Sequence, residues 1–177
     1  MSKQKLFLNL KTIDLNDAGK IDILATKDHV YAISFPGELD VVLKRLSRTY
    51  DFEIQTQTNP LIENAIHQLK EYFAQKRAEF DIPIKLVGTD FQKKVWQRLL
   101  QIPFGQTCSY KDIGLDLNIK NGFQAIGQAN RNNPICLVVP CHRVVAASGQ
   151  LSGYIGGTGL KSYLLRLEKT LSSSTIA

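Results

Sequence analysis

The feature that most constrains the fold is an apolar run from Ile135 to Val139 that Pro140 stops. The run is too short for an independent helix and is rich in β-branched residues, so it predicts a buried strand. A reactive group directly after such a strand would be held at a fixed point by the core. Cys141 and His142 occupy that place.

Cys141 is the candidate nucleophile, because the adjacent imidazole can accept the thiol proton or stabilise the thiolate. Most free cysteines only fill buried space, and Cys136 in the apolar run and Cys108 in a short polar loop fit that description. Three cysteines with no C-x-x-C pair, and with the other two histidines far away in sequence, predict neither a disulfide framework nor a metal site.

The excess positive charge lies in the second half of the chain. Residues 1–89 contain 12 Lys/Arg and 12 Asp/Glu, whereas residues 90–177 contain 10 and 4. A basic face of this kind favours a polyanionic partner, nucleic acid first. No apolar stretch is long enough to span a bilayer and the start M-S-K-Q-K lacks the apolar core of a signal peptide, so we expect a cytoplasmic protein without a membrane partner.

The first half predicts a small α/β domain with an antiparallel sheet. Alternating or apolar segments predict strands over 5–10, 21–26, 30–35 and 52–55, with one helix before the last strand. Asn59 and Pro60 predict the start of a second helix. Pro83 and Gly88 lie in a stretch without helical pattern, which we interpret as the connection between the halves.

The second half predicts several helices. Thr89-x-x-Gln92 and Ser109-x-x-Asp112 are capping boxes, and a third helix is predicted over 123–131. The two short helices after residue 109 form a helix-turn-helix candidate. The predicted fold class is therefore α/β (α+β): a small N-terminal α/β domain over 1–82, a mainly helical C-terminal domain over 83–170, and a tail over 171–177.

Five motifs in this order resemble the O6-alkylguanine-DNA alkyltransferases, also called methylated-DNA–protein-cysteine methyltransferases. They are T-x-F-Q-x-x-V-W-x-x-L-x-x-I-P-x-G-x-T-x-S-Y, N-P, V-P-C-H-R-V-V, G-x-L-x-G-Y-x-G-G and K-x-x-L-L-x-x-E, between Thr89 and Glu168. The resemblance covers roughly the second half of the chain. It implies direct DNA repair: a monomer without a cofactor binds double-stranded DNA containing O6-alkylguanine, flips the base out and transfers the alkyl group irreversibly to Cys141.

The resemblance also assigns roles to individual residues. His142 corresponds to the base that deprotonates Cys141 through a water, and Glu168 to the carboxylate that orients this histidine. Asn133 corresponds to the asparagine that braces the turn, and Tyr110 to the tyrosine that donates a proton to the departing base. Residues that correspond to the substrate pocket are Pro140, Val144, Tyr154 and Gly156. The first half corresponds to the ribonuclease-H-like domain of the family, without the zinc that some relatives hold there.

The resemblance implies that the second helix of the helix-turn-helix enters the minor groove of DNA. Tyr110, Lys111, Gln124 and Arg131 are the candidate DNA contacts. The family usually has an arginine where this chain has Gln124, a residue with a shorter reach and no charge. We therefore expect weaker DNA affinity or slower base flipping, with the chemistry retained.

Two alternatives remain open from the sequence. One is a non-catalytic protein that binds alkylated DNA lesions; Cys141 argues against it and Gln124 in its favour. The other is a cysteine hydrolase that uses Cys141 and His142. Adjacent side chains in an extended segment point apart, which argues against that use, as does the basic second half.

Overall fold

A computed structural model describes residues 3–120, 122–151 and 154–174, without the side chains of residue 17 and of 170–174. The chain divides into two compact units. Unit 1 comprises Met1–Gly88 together with Pro134–Cys136, and unit 2 comprises Thr89–Asn133 together with Leu137–Ala177. No helix in the described ranges is both long enough and apolar enough to cross a bilayer.

Unit 1 contains a four-stranded sheet with two helices. The strands are β1 (Gln4–Asp14), β2 (Lys20–Ala25), β3 (Val30–Ser34) and β4 (Tyr50–Gln55), and the helices are α1 (Leu39–Thr49) and α2 (Pro60–Phe73). The strand order is β3-β2-β1-β4. β2 pairs antiparallel with both neighbours, whereas β4 pairs in parallel with β1, so the predicted antiparallel sheet is mixed at one edge.

The strand and helix limits of unit 1 follow from local sequence. β3 is buried at every position, which explains its unbroken apolar pattern. The Asn59 side chain accepts a hydrogen bond from the Ile62 backbone N–H and Pro60 is the first residue of α2, so the predicted helix start is confirmed. One face of the sheet packs on α1 through a cluster of buried side chains: Leu6, Leu8, Leu24, Tyr31, Ala32, Val42 and Leu46.

The predicted strand over 135–139 is wrong beyond its first residues. Ile135 forms an isolated parallel bridge with Ile33, which donates to the Pro134 carbonyl at 3.0 Å and accepts from Cys136 at 2.8 Å. Leu137 then has φ 71°, which ends the extended segment in a turn. Four of the five residues of the run are buried and Val138 is half-buried, which explains its apolar composition, but burial alone does not make a segment extended.

Unit 2 is mainly helical. Its elements are α3 (Asp90–Leu99), β5 (Cys108–Ser109), α4 (Tyr110–Asp116), α5 (Phe123–Arg131), a 3₁₀ turn (Cys141–Arg143), β6 (Val144–Val145) and α6 (Gly157–Ser174). Both predicted capping boxes are confirmed. The side chains of Thr89 and Ser109 accept from the backbone N–H groups of Gln92 and Asp112, and the side chains of Gln92 and Asp112 accept from the backbone N–H groups of Thr89 and Ser109. α6 extends into the predicted tail, as far as Ser174; residues 175–177 lie outside the described part.

Candidate active site

The candidate nucleophile lies in a tight turn that several backbone contacts fix. Cys141 begins the 3₁₀ turn, and its side chain is 1% exposed. The backbone N–H of Cys141 donates to the Val139 carbonyl at 2.8 Å. The buried Asn133 side chain donates to the same carbonyl at 2.8 Å, so Asn133 braces the turn that carries the thiol. Because the segment is a turn, the expectation that Cys141 and His142 lie in an extended segment is wrong.

His142 and Glu168 form a fully buried pair. His142 Nε2 lies 2.6 Å from Glu168 Oε1, and both side chains are 0% exposed. Burial alone would raise the pKa of Glu168, but hydrogen bonds from His142 and Arg143, together with the guanidinium charge, outweigh it and lower the pKa to about 2. Burial lowers the pKa of His142 and outweighs the opposing effect of Glu168. The pair is therefore a neutral imidazole beside an ionised carboxylate.

The pairing determines which ring nitrogen of His142 can act as a base. A carboxylate only accepts hydrogen bonds, so Nε2 carries the imidazole hydrogen and Nδ1 carries the lone pair. His142 Nδ1 is buried and has no hydrogen-bond partner among the described residues. It is thus an acceptor held in place by the carboxylate at the other nitrogen, one residue from Cys141.

Arg143 also holds the carboxylate of Glu168. Its Nε lies 2.9 Å from Oε2, and its Nη2 lies 3.0 Å from Oε1. The remaining guanidinium nitrogen of Arg143, Nη1, donates to the Ile102 carbonyl at 2.7 Å. The backbone N–H of Gly105 donates to Glu168 Oε2 at 3.2 Å. The loop after α3 and the end of α6 therefore meet at this one carboxylate, and its position is fixed from several directions.

Lys161 places a second cation in the same unit, near Cys141. Its side chain is 0% exposed on α6. Burial lowers the pKa of this ammonium, and its interaction with Cys141 acts in the opposite direction. A buried lysine is costly without a compensating negative charge, and a Cys141 thiolate would supply one.

Tyr110 is half-buried at the first position of α4 and lies close to the thiol. Burial, and then the charge of Cys141, raise the pKa of its phenol, which a hydrogen bond from Asn130 opposes. The phenol therefore remains protonated at neutral pH. Asn130 in turn donates from Nδ2 to the Cys141 carbonyl at 3.3 Å.

The residues predicted to line the substrate pocket lie around the 3₁₀ turn. Pro140 and Val144 are buried at its two ends. The Tyr154 ring is 6% exposed and meets the His142 ring edge to face, with centroids 6.5 Å apart. Gly156 is half-buried close to the Tyr154 ring. Residues 152 and 153 of the G-x-L-x-G-Y-x-G-G motif lie outside the described residues.

The remaining candidate DNA contacts are surface residues of the helix pair. Lys111 on α4 and Gln124 and Arg131 on α5 are all exposed. Gly127 on α5 lies against the Tyr110 ring, where a Cβ would be 3.9 Å from Tyr110 Cε1. A methyl group at this position would make an ordinary van der Waals contact with the ring.

Three residues of this cluster escaped the sequence reasoning. Arg143 stands in the P-C-H-R motif, so its position was visible but its role was not. Lys161 begins the K-x-x-L-L-x-x-E motif and was a candidate partner of Glu168, but its proximity to Cys141 was not predicted. Asn130 has no such signal, since only the fold brings the end of α5 to the Cys141 backbone.

Both halves of the chain match family models. Residues 90–170 match the 6-O-methylguanine DNA methyltransferase DNA-binding domain, and residues 11–86 match the ribonuclease-like domain of the same methyltransferase. A methylated-DNA–protein-cysteine methyltransferase from Mycobacterium bovis is 45% identical over 131 residues, which cover 72% of this chain and 79% of the relative. One from Methanosarcina mazei is 38% identical over 149 residues, covering 81% and 94%.

Solved structures agree with these matches. The fold resembles that of Mycobacterium tuberculosis OGT in complex with DNA, with a TM-score of 0.78 and 37% identity over 92% of this chain and 94% of that one. It also resembles the O6-methylguanine-DNA methyltransferase of Pyrococcus kodakaraensis KOD1, with a TM-score of 0.63, 25% identity and coverage of 91% and 98%. The fold is thus that of the 6-O-methylguanine DNA methyltransferases, with a ribonuclease-like domain followed by a DNA-binding domain. The chain belongs to the methylated-DNA–protein-cysteine methyltransferase family.

Proposed function

We propose that this protein repairs DNA directly, by moving a methyl or larger alkyl group from O6 of guanine in duplex DNA to its own Cys141. The observation that carries the proposal is the buried His142–Glu168 pair next to that cysteine, because it leaves an oriented, neutral base beside a thiol. The transfer consumes the protein, because the alkylated Cys141 is a thioether, which water does not hydrolyse at neutral pH. Each molecule then acts once.

The reaction is a displacement at a saturated carbon. His142 Nδ1 takes the thiol proton of Cys141 through a water, and Glu168 stabilises the imidazolium that forms. The thiolate sulfur attacks the alkyl carbon, the S–C bond forms, and the C–O6 bond breaks with its electron pair on the guanine. Lys161 supports the thiolate electrostatically before the attack. Holding the thiolate and the alkyl carbon close together and in line supplies much of the remaining acceleration of the transfer.

The leaving guanine needs a proton to depart as a neutral base. The phenol of Tyr110 is protonated, close to Cys141, and at the start of α4. It is the donor in this proposal. Pro140, Val144, Tyr154 and Gly156 form the pocket that receives the flipped nucleotide, with the Tyr154 ring held against His142.

The DNA interface is the surface of α4 and α5. We propose that these helices act as a helix-turn-helix over residues 110–131, with α5 in the minor groove and Lys111 and Arg131 on phosphates. Gln124 occupies the position from which a side chain fills the space of the flipped base. The protein acts as a monomer in the cytoplasm, and residues 83–170 carry the activity while residues 1–82 form the accompanying domain.

The test is the intact mass of the protein after incubation with duplex DNA that contains O6-methylguanine. We expect a gain of one methyl group in place of one hydrogen, mapped to Cys141, in a single stoichiometric turnover. Cys141→Ser should show no gain, whereas the matched control Cys108→Ser should react like the parent. If the parent binds the modified duplex but gains no mass, the lesion-binding alternative replaces this proposal.

A further inference from the structure

Asn130 holds the backbone of the candidate nucleophile. It is the next-to-last residue of α5 and is 2% exposed. The carbonyl of Cys141 can only accept a hydrogen bond, so Nδ2 of the Asn130 amide faces it, at 3.3 Å. Trp96 Nε1 donates to the carbonyl of Ala129 at 2.8 Å, which fixes this end of α5 to α3. The Asn130 amide is therefore presented to the turn from a fixed position.

Two asparagines at this end of α5 hold different parts of the turn. Asn133 donates to the Val139 carbonyl, two residues before the thiol, at 2.8 Å. Asn130 instead donates to the carbonyl of Cys141, in the peptide group that joins the nucleophile to His142. Because a peptide group is planar, a hydrogen bond at its carbonyl restrains the rotation of the whole plane. Asn130 thus restrains the directions in which the two reacting side chains leave the backbone.

Hydrogen-bond satisfaction does not explain the contact of Asn130 with this carbonyl. The Cys141 carbonyl already accepts from the Val144 backbone N–H, which closes the 3₁₀ turn. Asn130 in turn leaves its Oδ1 buried, with no hydrogen-bond partner among the described residues. An unpaired buried oxygen costs free energy, and an apolar side chain of similar size would fill the space without that cost. A residue that costs stability beside a reactive group indicates a functional role.

We propose that Asn130 is a positioning residue for alkyl transfer: by holding the Cys141 carbonyl, it sets the distance between the Cys141 thiol and Nδ1 of His142. The inference rests on the proposed function. Successive residues of a 3₁₀ turn project about 120° apart around its axis, so the thiol and the imidazole do not face each other directly. In the proposed reaction the proton crosses through a water, which can bridge the two groups only when both are in place. Without the hydrogen bond from Asn130, both groups remain but the peptide plane between them can rotate.

The test compares the parent with Asn130→Leu and Asn130→Met, which cannot donate to the carbonyl. The single-turnover rate of methyl transfer at saturating DNA should fall about tenfold to a hundredfold at pH 7, the loss expected when a reacting group is displaced by about 1 Å. The parent rate in these variants would overturn the inference.

The stability of the same variants separates a functional from a structural role. Since each variant removes the unpaired oxygen, the midpoint of urea unfolding should be unchanged or higher in at least one of them. Two variants are compared because the branched leucine and the flexible methionine fill a buried space differently. A lower midpoint in both variants would show that Asn130 serves the fold, and would overturn the inference.

The pH dependence separates positioning from general damage to the site. His142 serves only to remove the thiol proton, and an ordinary thiol loses this proton without a base above about pH 8.5. The rate ratio of parent to variant should therefore shrink to less than about threefold at pH 9.5, because the misplaced base is then no longer needed. Other titrations in the site cancel in this ratio, since both proteins contain them. A ratio that stays constant from pH 7 to 9.5 would overturn the inference.

Asn132→Leu is the matched control. It removes a partly exposed amide at the end of the same helix, which donates to the Gln128 carbonyl at 2.8 Å. This variant should transfer at the parent rate, and a loss equal to that of Asn130→Leu would overturn the inference. A parent that never gains mass refutes the proposed function, whereas a parent that reacts no faster than Asn130→Leu refutes this inference alone.

Discussion

Arg143 contacts both carboxylate oxygens of Glu168, with Nε 2.9 Å from Oε2 and Nη2 3.0 Å from Oε1. The guanidinium is 9% exposed in its side chain and the carboxylate is 0% exposed, so water does little to screen this pair. The charge that Arg143 supplies keeps Glu168 ionised in a buried position. An ionised Glu168 is what keeps the imidazole hydrogen of His142 on Nε2.

Glu168→Gln should therefore weaken both the fold and the reaction. It leaves Arg143 buried without its counter-charge, so we expect the free energy of unfolding to fall by about 3–5 kcal/mol. The transfer rate should fall at least tenfold, because a neutral amide stabilises the imidazolium of His142 less than a carboxylate does, and its NH2 group can donate to Nε2, which places the imidazole hydrogen on Nδ1. Urea unfolding at pH 7 and single-turnover kinetics measure the two effects.

The matched control for this change is Glu71→Gln. Glu71 accepts from Arg77 Nε at 2.7 Å, but both side chains are more than a quarter exposed. Surface pairs of this kind contribute little to stability, because water screens their charges. If Glu168→Gln and Glu71→Gln lower the free energy of unfolding by similar amounts, burial of the Glu168 carboxylate does not explain the loss.

Stability should decrease as the pH falls below about 6.5. The pKa of His142 is lowered in the folded protein, so below its ordinary value of about 6.5 the unfolded chain binds more protons than the folded one. The slope from one such group reaches about 1.4 kcal/mol per pH unit. Urea unfolding between pH 5 and 7.5 should show it, and His142→Asn should flatten it.

A second loss is expected at lower pH. The pKa of Glu168 is lowered to about 2, so its contribution to stability is complete above the unfolded value and disappears as the pH falls from about 4.5 toward 2. Glu168→Gln should lack this loss. If that variant keeps the parent's slope between pH 4.5 and 2, then another carboxyl group is responsible.

Gln124→Arg should improve DNA binding and speed transfer. An added cation at this exposed position of α5 should steepen the dependence of log K on log salt by about one phosphate contact. Gln128→Arg adds the same charge one turn along the helix and should affect binding alone. A single-turnover rate for Gln124→Arg at saturating DNA that equals the rate of Gln128→Arg would refute the role of position 124 in flipping.

Gly156→Ala should disturb the pocket more than the fold. A Cβ at Gly156 would lie 2.6 Å from Leu160 Cδ2 and 3.1 Å from Tyr154 Cε1, so the flexible leucine and then the ring must shift. We expect a several-fold lower transfer rate, larger for O6-benzylguanine than for O6-methylguanine. Gly159→Ala, with no atom within 4 Å of its Cβ, is the control and should retain the parent rates. Equal rates for both variants would contradict the proximity of Gly156 to the substrate.

Local sequence signals predicted the helix starts well. The caps at Asn59, Thr89 and Ser109 are interactions between neighbours, so three or four residues contain all the information. The pairing of β4 with β1 was not predicted, because strand direction depends on where the intervening helix carries the chain. The strand over 135–139 failed for a related reason: apolar residues report burial but not backbone conformation.

The residues of the candidate site likewise fall into two groups, those that sequence motifs predict and those that only the fold brings to the site. Cys141, His142 and Glu168 stand in recognisable motifs, and the structure brings His142 and Glu168 into contact next to Cys141. Asn130 stands in no motif and contributes through its buried position, whereas Lys161 begins the K-x-x-L-L-x-x-E motif, which does not show that its side chain is buried. The neutral state of His142 also follows from burial and could not be deduced from its sequence neighbour.

Pro134–Cys136 belongs to unit 1, although the residues on either side of it belong to unit 2. A fragment that starts at Thr89 would keep every candidate catalytic residue, yet it would lose Ile33, the backbone partner of Pro134 and Cys136. A single junction at residue 88 therefore does not separate the two units along the chain. A different N-terminal domain would have to offer a strand edge for these three residues, which lie five to seven positions before Cys141.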